Sequence, residues 1–226
     1  MFLLVVPTIR QTRPGFSEAM ERLRASLTLP TDLHILDGSA GKAQTLNMAY
    51  DTLLQPSGAS IYVTLDDDII PPHGWQDQIT SAFDSAPSWG ALGLWLGEPH
   101  RAYMGLSGVP LPVARQPFSY IPTHNNLVGC LIAFRHEVAL GVGKIPDSPQ
   151  KYQYWEDGWR CQRVRAQGYD LAYLYDPENI PELITYADPT EYLAAKDADI
   201  AASQGIARHM LGQNRLKSLW KRFRKR

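Results

Sequence analysis

Cysteine is scarce in this chain, with Cys130 and Cys161 alone among 226 residues, which excludes a disulfide scaffold and suits a reducing compartment. No apolar run reaches the roughly 18 to 20 residues needed to cross a bilayer. The chain opens on a strand-like stretch with no basic lead-in, so we expect a cytosolic protein without a secretory signal. Internal repeats and low-complexity linkers are absent as well, which argues against a solenoid or an array. Net charge is also nearly lacking, at -1, but it is unevenly spread. Arg215 to Arg226 carry seven Lys or Arg and no acid, so the preceding residues hold a net -8. What remains is an ordinary globular composition, 44% hydrophobic and 20% charged, in a chain long enough for one sizeable domain.

The most informative stretch is Ile61 to Pro72, "IYVTLDDDIIPP". Four of the five residues from Ile61 to Leu65 are β-branched or aromatic, which predicts a buried strand. Its end is loaded with Asp66, Asp67 and Asp68. Adjacent carboxylates repel one another, and a divalent cation relieves that repulsion. Mg²⁺ or Mn²⁺ is commonly held by one or two carboxylates plus substrate phosphates, and open α/β sheets bind ligands beyond the carboxyl ends of their strands. The plainer alternative is that the three aspartates only break the strand and cap the next element.

Around this stretch, strand and helix patterns alternate. Met1 to Val6 is an apolar run ended by Pro7. Phe16, Met20, Leu23 and Leu27 recur at helical spacing, with Ser17 as a cap, and Leu33 to Leu36 is a second strand ending in Asp37-Gly38-Ser39. Gly41 opens a second helix, Trp75, Ile79 and Phe83 mark a third, and Trp89 to Leu96 reads as a strand. This alternation predicts an α/β domain with a mostly parallel sheet covered by helices. Gly97 to Asn125, with five prolines and no clear period, reads as an irregular cover over the site, in which Tyr103, His124 and Asn125 are candidate acceptor contacts. Leu127 to Phe134 resumes strand character, and Gly129 at its start signals a close backbone approach. Trp155 to Gln167 reads as a helix stopped by Gly168, followed by a strand Leu171 to Tyr175. His73 sits in an exposed turn after Pro71 and Pro72, and Cys130 and Cys161 read as unreactive packing residues.

A second acidic pair, Glu156 and Asp157, opens the Trp155 to Gln167 helix between Trp155 and Trp159. Acids in a first turn favour the helix dipole by a few tenths to ~1 kcal/mol. Flanking tryptophans would also desolvate a carboxylate and raise its pKa, making it a better general base.

Taken together, "VVPT" (Val5 to Thr8), "LDGS" (Leu36 to Ser39), "GKAQTLN" (Gly41 to Asn47), "LDDD", and "VGCLIAFRHEV" leading to "WEDGWRCQRVRAQGY" resemble, in order, the motifs of a GT-A fold glycosyltransferase, most similar to glycosyltransferase family 2. The resemblance covers about Leu3 to Tyr175. It implies a Rossmann-like nucleotide-diphospho-sugar transferase domain over residues 1–200, a nucleotide-sugar donor, most commonly a UDP-sugar, and Mn²⁺ or Mg²⁺. In that reading Asp66 and Asp68 hold the metal, with Asp67 or Asp66 also near the ribose. Pro7 and Thr8 form the nucleotide-contacting turn, Asp37 reads the base and Lys42 sits near the nucleotide. Asp157 deprotonates the acceptor hydroxyl while Glu156 shapes the pocket. The family inverts, so a single in-line displacement is expected. Arg10 departs from the family pattern and would bring a charge near the phosphates. The only histidine downstream of the acidic helix is His209, either a further metal ligand or a packed helix residue. The Q-x-x-R-W element of processive synthases is missing, so one sugar is expected per encounter.

Residues 201–226 read as a separate basic tail. Leu216, Leu219, Trp220 and Phe223 fall at helical spacing among the charges, a pattern that suits an anionic membrane surface at the cytoplasmic face and a glycan or lipid-linked acceptor. A packed terminal helix is the alternative, and nucleic acid a less favoured partner. Two other functions fit the same residues: a degenerate GT-A domain that docks to membrane or nucleic acid, and a glycosyltransferase that modifies nucleic acid.

Overall fold

The computed structural model describes residues 1–112, 119–147 and 155–199. The basic tail and His209 lie outside them. The chain builds one seven-stranded sheet in the order β2-β1-β3-β7-β5-β8-β6. These strands are β1 (Phe2–Thr8), β2 (Thr31–Asp37), β3 (Ile61–Leu65), β5 (Trp89–Leu94), β6 (Ser119–Pro122), β7 (Leu131–Arg135) and β8 (Asp170–Tyr175). A two-stranded ribbon pairs β4 (Ile69–Ile70) with β9 (Glu182–Leu183). In the large sheet β2, β1, β3, β5 and β8 run one way, while β7 and β6 are reversed.

Side chains alternate along the strands, so each face of the sheet acquires its own core. Phe2, Leu4 and Val6 of β1 pack with Ile61, Val63 and Leu65 of β3 under α1 (Phe16–Ala25) and α3 (Trp75–Ser85). Leu3, Val5 and Tyr62 face the other way, under α2 (Lys42–Ala49), α4 (His136–Val142) and α5 (Glu156–Ala166). All five residues of β3 are buried, as its β-branched run predicts.

Some boundaries differ from expectation. Helix α1 is capped by Gly15 in the left-handed region, with no side-chain cap, so Ser17 lies inside the first turn. α2 continues into a π-helical turn, Tyr50–Leu54. Strand β7 starts at Leu131, because residues 127–130 turn into it. The segment read as an irregular cover holds the edge strand β6, whose prolines disguised it. Beyond β8, the chain folds back through β9 into a helical stretch at 190–199.

Two connections decide where the site lies. Helices α2 and α5 lead by short turns into β3 and β8, strands of the same direction, so each runs against its strand. Their N-terminal ends therefore rise at the carboxyl edge of the sheet, beside the aspartates that follow β3. β7 runs opposite to β3 and begins at that edge, with the Asp66 N–H donating to the Cys130 carbonyl at 2.9 Å.

Candidate active site

At that edge lies an open cleft of about 890 Å³, solvent at its mouth included. Pro7, Thr8 and Arg10 come from the end of β1, Lys42 from α2, Asp66 to Asp68 from the turn after β3, and Glu156 and Asp157 from α5. Residues far apart in sequence and singled out for one site thus share one cleft. Asp37 is exposed at its margin, where its carboxylate accepts from the Ser39 N–H at 2.9 Å and the Ser39 hydroxyl at 2.8 Å. Neighbouring Gly38 lines the cleft, and its N–H donates to the Thr8 carbonyl at 2.7 Å.

The three consecutive aspartates have different surroundings. Asp67 turns inward, accepting from the Thr8 hydroxyl and from Arg10 Nη1. Burial raises its pKa, and the Arg10 charge and Thr8 hydrogen bond act against the rise. Asp66 faces the cleft and pairs with Lys42 Nζ at 2.8 Å. Asp68 is one-third exposed, accepts a longer 3.3 Å bond from Arg10, and is pushed up to about 6 by burial and the adjacent Asp66 charge.

Arg10 behaves differently from the charge expected near the phosphates. Its Nε and Nη2 donate to both oxygens of Asp188 at 3.0 and 2.8 Å, and Nη1 serves Asp67 and Asp68. Every guanidinium nitrogen is engaged by a carboxylate. Burial works against this cation, but the Asp188 hydrogen bond and the charges of Asp67 and Asp68 outweigh it and hold its pKa above the ordinary range. Arg10 also lies 5.0 Å from the Tyr186 ring centroid, and it fastens the segment after β9 over the acidic turn. There the Tyr186 hydroxyl donates to the Asp67 carbonyl at 3.1 Å and the Ile184 N–H to the Asp68 carbonyl at 2.8 Å.

Lys42 joins the two acidic stations, with Glu156 Oε1 at 3.1 Å on its other side. Burial opposes the ammonium, yet the charges of Asp66, Asp157 and Glu156 keep its pKa well above the ordinary value. Glu156 is 2% exposed, and burial, against the pull of Lys42, pushes it up to about 7. Burial also raises Asp157, which Lys42 opposes and Asp66 reinforces. Among the described residues, the buried Glu156 Oε2 and Asp157 Oδ1 have no hydrogen-bond partner. A Cβ placed on Gly129 would collide with the Asp157 carboxylate, so the close approach signalled at Gly129 is by that side chain.

Trp155 and Trp159 pack edge to face on each other, 6.3 Å apart, and neither lines the cleft. Its aromatic lining among the described residues comes from Tyr103 and Tyr192. Burial pushes both thiols up to about 12, in keeping with packing roles. His73 is exposed in its turn. Asp188, Tyr192 and Lys196 were not anticipated, although Tyr192 and Lys196 stand four residues apart just after an Asp-Pro helix start. That spacing was the available signal.

No protein-family model matches the chain, and no curated protein matches its sequence. Solved structures do match. The mannosyltransferase PcManGT from Pyrobaculum calidifontis, in complex with GDP-Man and Mn²⁺, gives a TM-score of 0.55 at 18% identity, over 85% of this chain and 59% of its own. TarS 1-349 from S. aureus gives 0.54 at 13% identity, over 81% and 60%. The catalytic domain of Drosophila beta1,4galactosyltransferase 7, in complex with xylobiose, gives 0.50 at 16% identity, over 81% and 70%. The chain spans about three-fifths of the length of the first two. It has the GT-A fold.

Proposed function

We propose that the protein is an inverting, metal-dependent glycosyltransferase that moves one sugar from a nucleotide-sugar donor, a UDP-sugar first among them, to a hydroxyl of a glycan or lipid-linked acceptor. The observation that carries this reading is that Lys42 stands between the acidic turn after β3 and the carboxylate pair of α5, within one cleft.

The donor set fits a metal that is shared with substrate. Among the described residues no group of three His, Cys, Asp or Glu stands ready to enclose an ion. Asp66 and Asp68 would supply two carboxylates, leaving further positions to diphosphate oxygens and water, the arrangement Mg²⁺ and Mn²⁺ favour. Burial first and the adjacent Asp66 charge second raise the pKa of Asp68, and a cation would relieve the second of these. When bound, the ion supplies positive charge against the departing diphosphate.

The chain's own residues do the rest. Lys42 pairs with Glu156 and Asp66 and with no oxygen of Asp157, so Asp157 is the carboxylate we assign to take the proton. The acceptor oxygen bonds to the anomeric carbon as the bond from that carbon to the diphosphate breaks, and the hydroxyl proton passes to Asp157. Burial of Asp157 strengthens it as a base. The test is transfer by purified protein with Mn²⁺ and a panel of sugar nucleotides, with chelator as control. Full activity in both Asp157→Asn and Asp68→Asn would defeat these roles.

A further inference from the structure

Arg160 lies one helical turn below Glu156 and outside the cleft lining. It is 4% exposed. Its Nη1 donates to the Thr64 hydroxyl at 2.9 Å, its guanidinium lies 4.4 Å from the Phe134 ring centroid, and its Nη2 has no hydrogen-bond partner among the described residues. Among the described residues no carboxylate lies within ion-pair distance of it, although an arginine this deep is normally paired. An apolar side chain of similar volume would cost less to bury there, against Phe134 and beside a small, mostly apolar cavity that Leu46, Leu54 and Tyr62 line together with Asn47 and Tyr50.

The position of this cation explains its retention. Thr64 is two residues before Asp66 on β3, so the Arg160 bond ties the helix bearing Glu156 and Asp157 to the strand bearing the acidic turn. Its charge also acts on Asp157 from beneath, where it favours the anion. From above, Lys42 serves Glu156 and Asp66, so the pair lies between two cations, one in the cleft and one in the core.

We propose that Arg160 is a positioning residue for transfer: it holds the first turn of α5 against β3 and so keeps the Glu156–Asp157 pair in place beside the acceptor. This rests on the transfer reading above. A residue that only filled the core would be replaceable by an apolar one, whereas a positioning cation would not.

The experiment compares wild type, Arg160→Met, Arg160→Lys and Thr64→Val in thermal denaturation and in steady-state transfer with Mn²⁺ and the active sugar nucleotide. Arg160→Met should melt within about 4 °C of wild type or above it. Its kcat should fall by about tenfold to a hundredfold with donor KM changed by less than about threefold. Arg160→Lys should recover part of that kcat, and Thr64→Val, which removes only the hydrogen bond, should lose about threefold. Unchanged kcat in Arg160→Met, no recovery in Arg160→Lys, or a melting temperature well below wild type would overturn the proposal. Absence of transfer by wild type strikes the function reading instead, and the melting comparison still judges Arg160.

Discussion

The two acidic stations of the cleft are built in opposite ways. At the turn after β3, Asp67 is satisfied by Thr8 and Arg10, and Arg10 is itself saturated by Asp67, Asp68 and Asp188. At the start of α5, Glu156 pairs with Lys42, an ammonium it shares with Asp66, while Asp157 only feels the Lys42 charge, and among the described residues each keeps a buried oxygen without a hydrogen-bond partner. A saturated network fixes geometry, because each broken bond leaves a buried charge uncompensated. An unsaturated pair keeps capacity for a proton. The difference separates a platform from a reactive group, although both stations read in sequence as runs of acid.

The strongest test of that contrast is Asp157→Asn, which keeps shape and removes the basic oxygen. We expect a loss of about 10³-fold in kcat with stability nearly unchanged, measured by transfer and by melting. Arg10→Met should do the reverse: it strands Asp67 and releases Asp188, and denaturant unfolding should show a loss of about 3 kcal/mol. Equal effects of these two substitutions on stability would erase the distinction. Gly129→Ala places a methyl group against the Asp157 carboxylate and should lower kcat by about a hundredfold without unfolding the chain.

A smaller effect sharpens the comparison through pH. Glu156 titrates near 4.5 when unfolded and at about 7 when folded, so between these values the folded state holds a proton that the unfolded state has lost. Stability therefore falls as pH rises through that window. Melting temperatures recorded from pH 4.5 to 7 should decline less in Glu156→Gln than in wild type.

Much of this was legible in sequence because local periodicity carried it. The β-branched run before three aspartates, the Trp155 to Gln167 helix with acids at its start, and the glycine at 129 each appear where their chemistry requires. β6 was hidden because its pairing with β8 is a long-range contact that leaves no local period. The partners of Arg10 were hidden for the same reason, since Asp188 is 178 positions away.

The sequence by itself determined that acid would gather at strand and helix ends on the carboxyl edge of an α/β sheet, because strand direction and helix direction follow from the alternation of elements. Only the tertiary structure decided which acids are satisfied and which are not. The same carboxylate is a strut or a base according to the cations and hydroxyls that folding brings within 3 Å or so: Asp67 takes the Thr8 hydroxyl and Arg10 from the end of β1, and Glu156 takes Lys42 from α2.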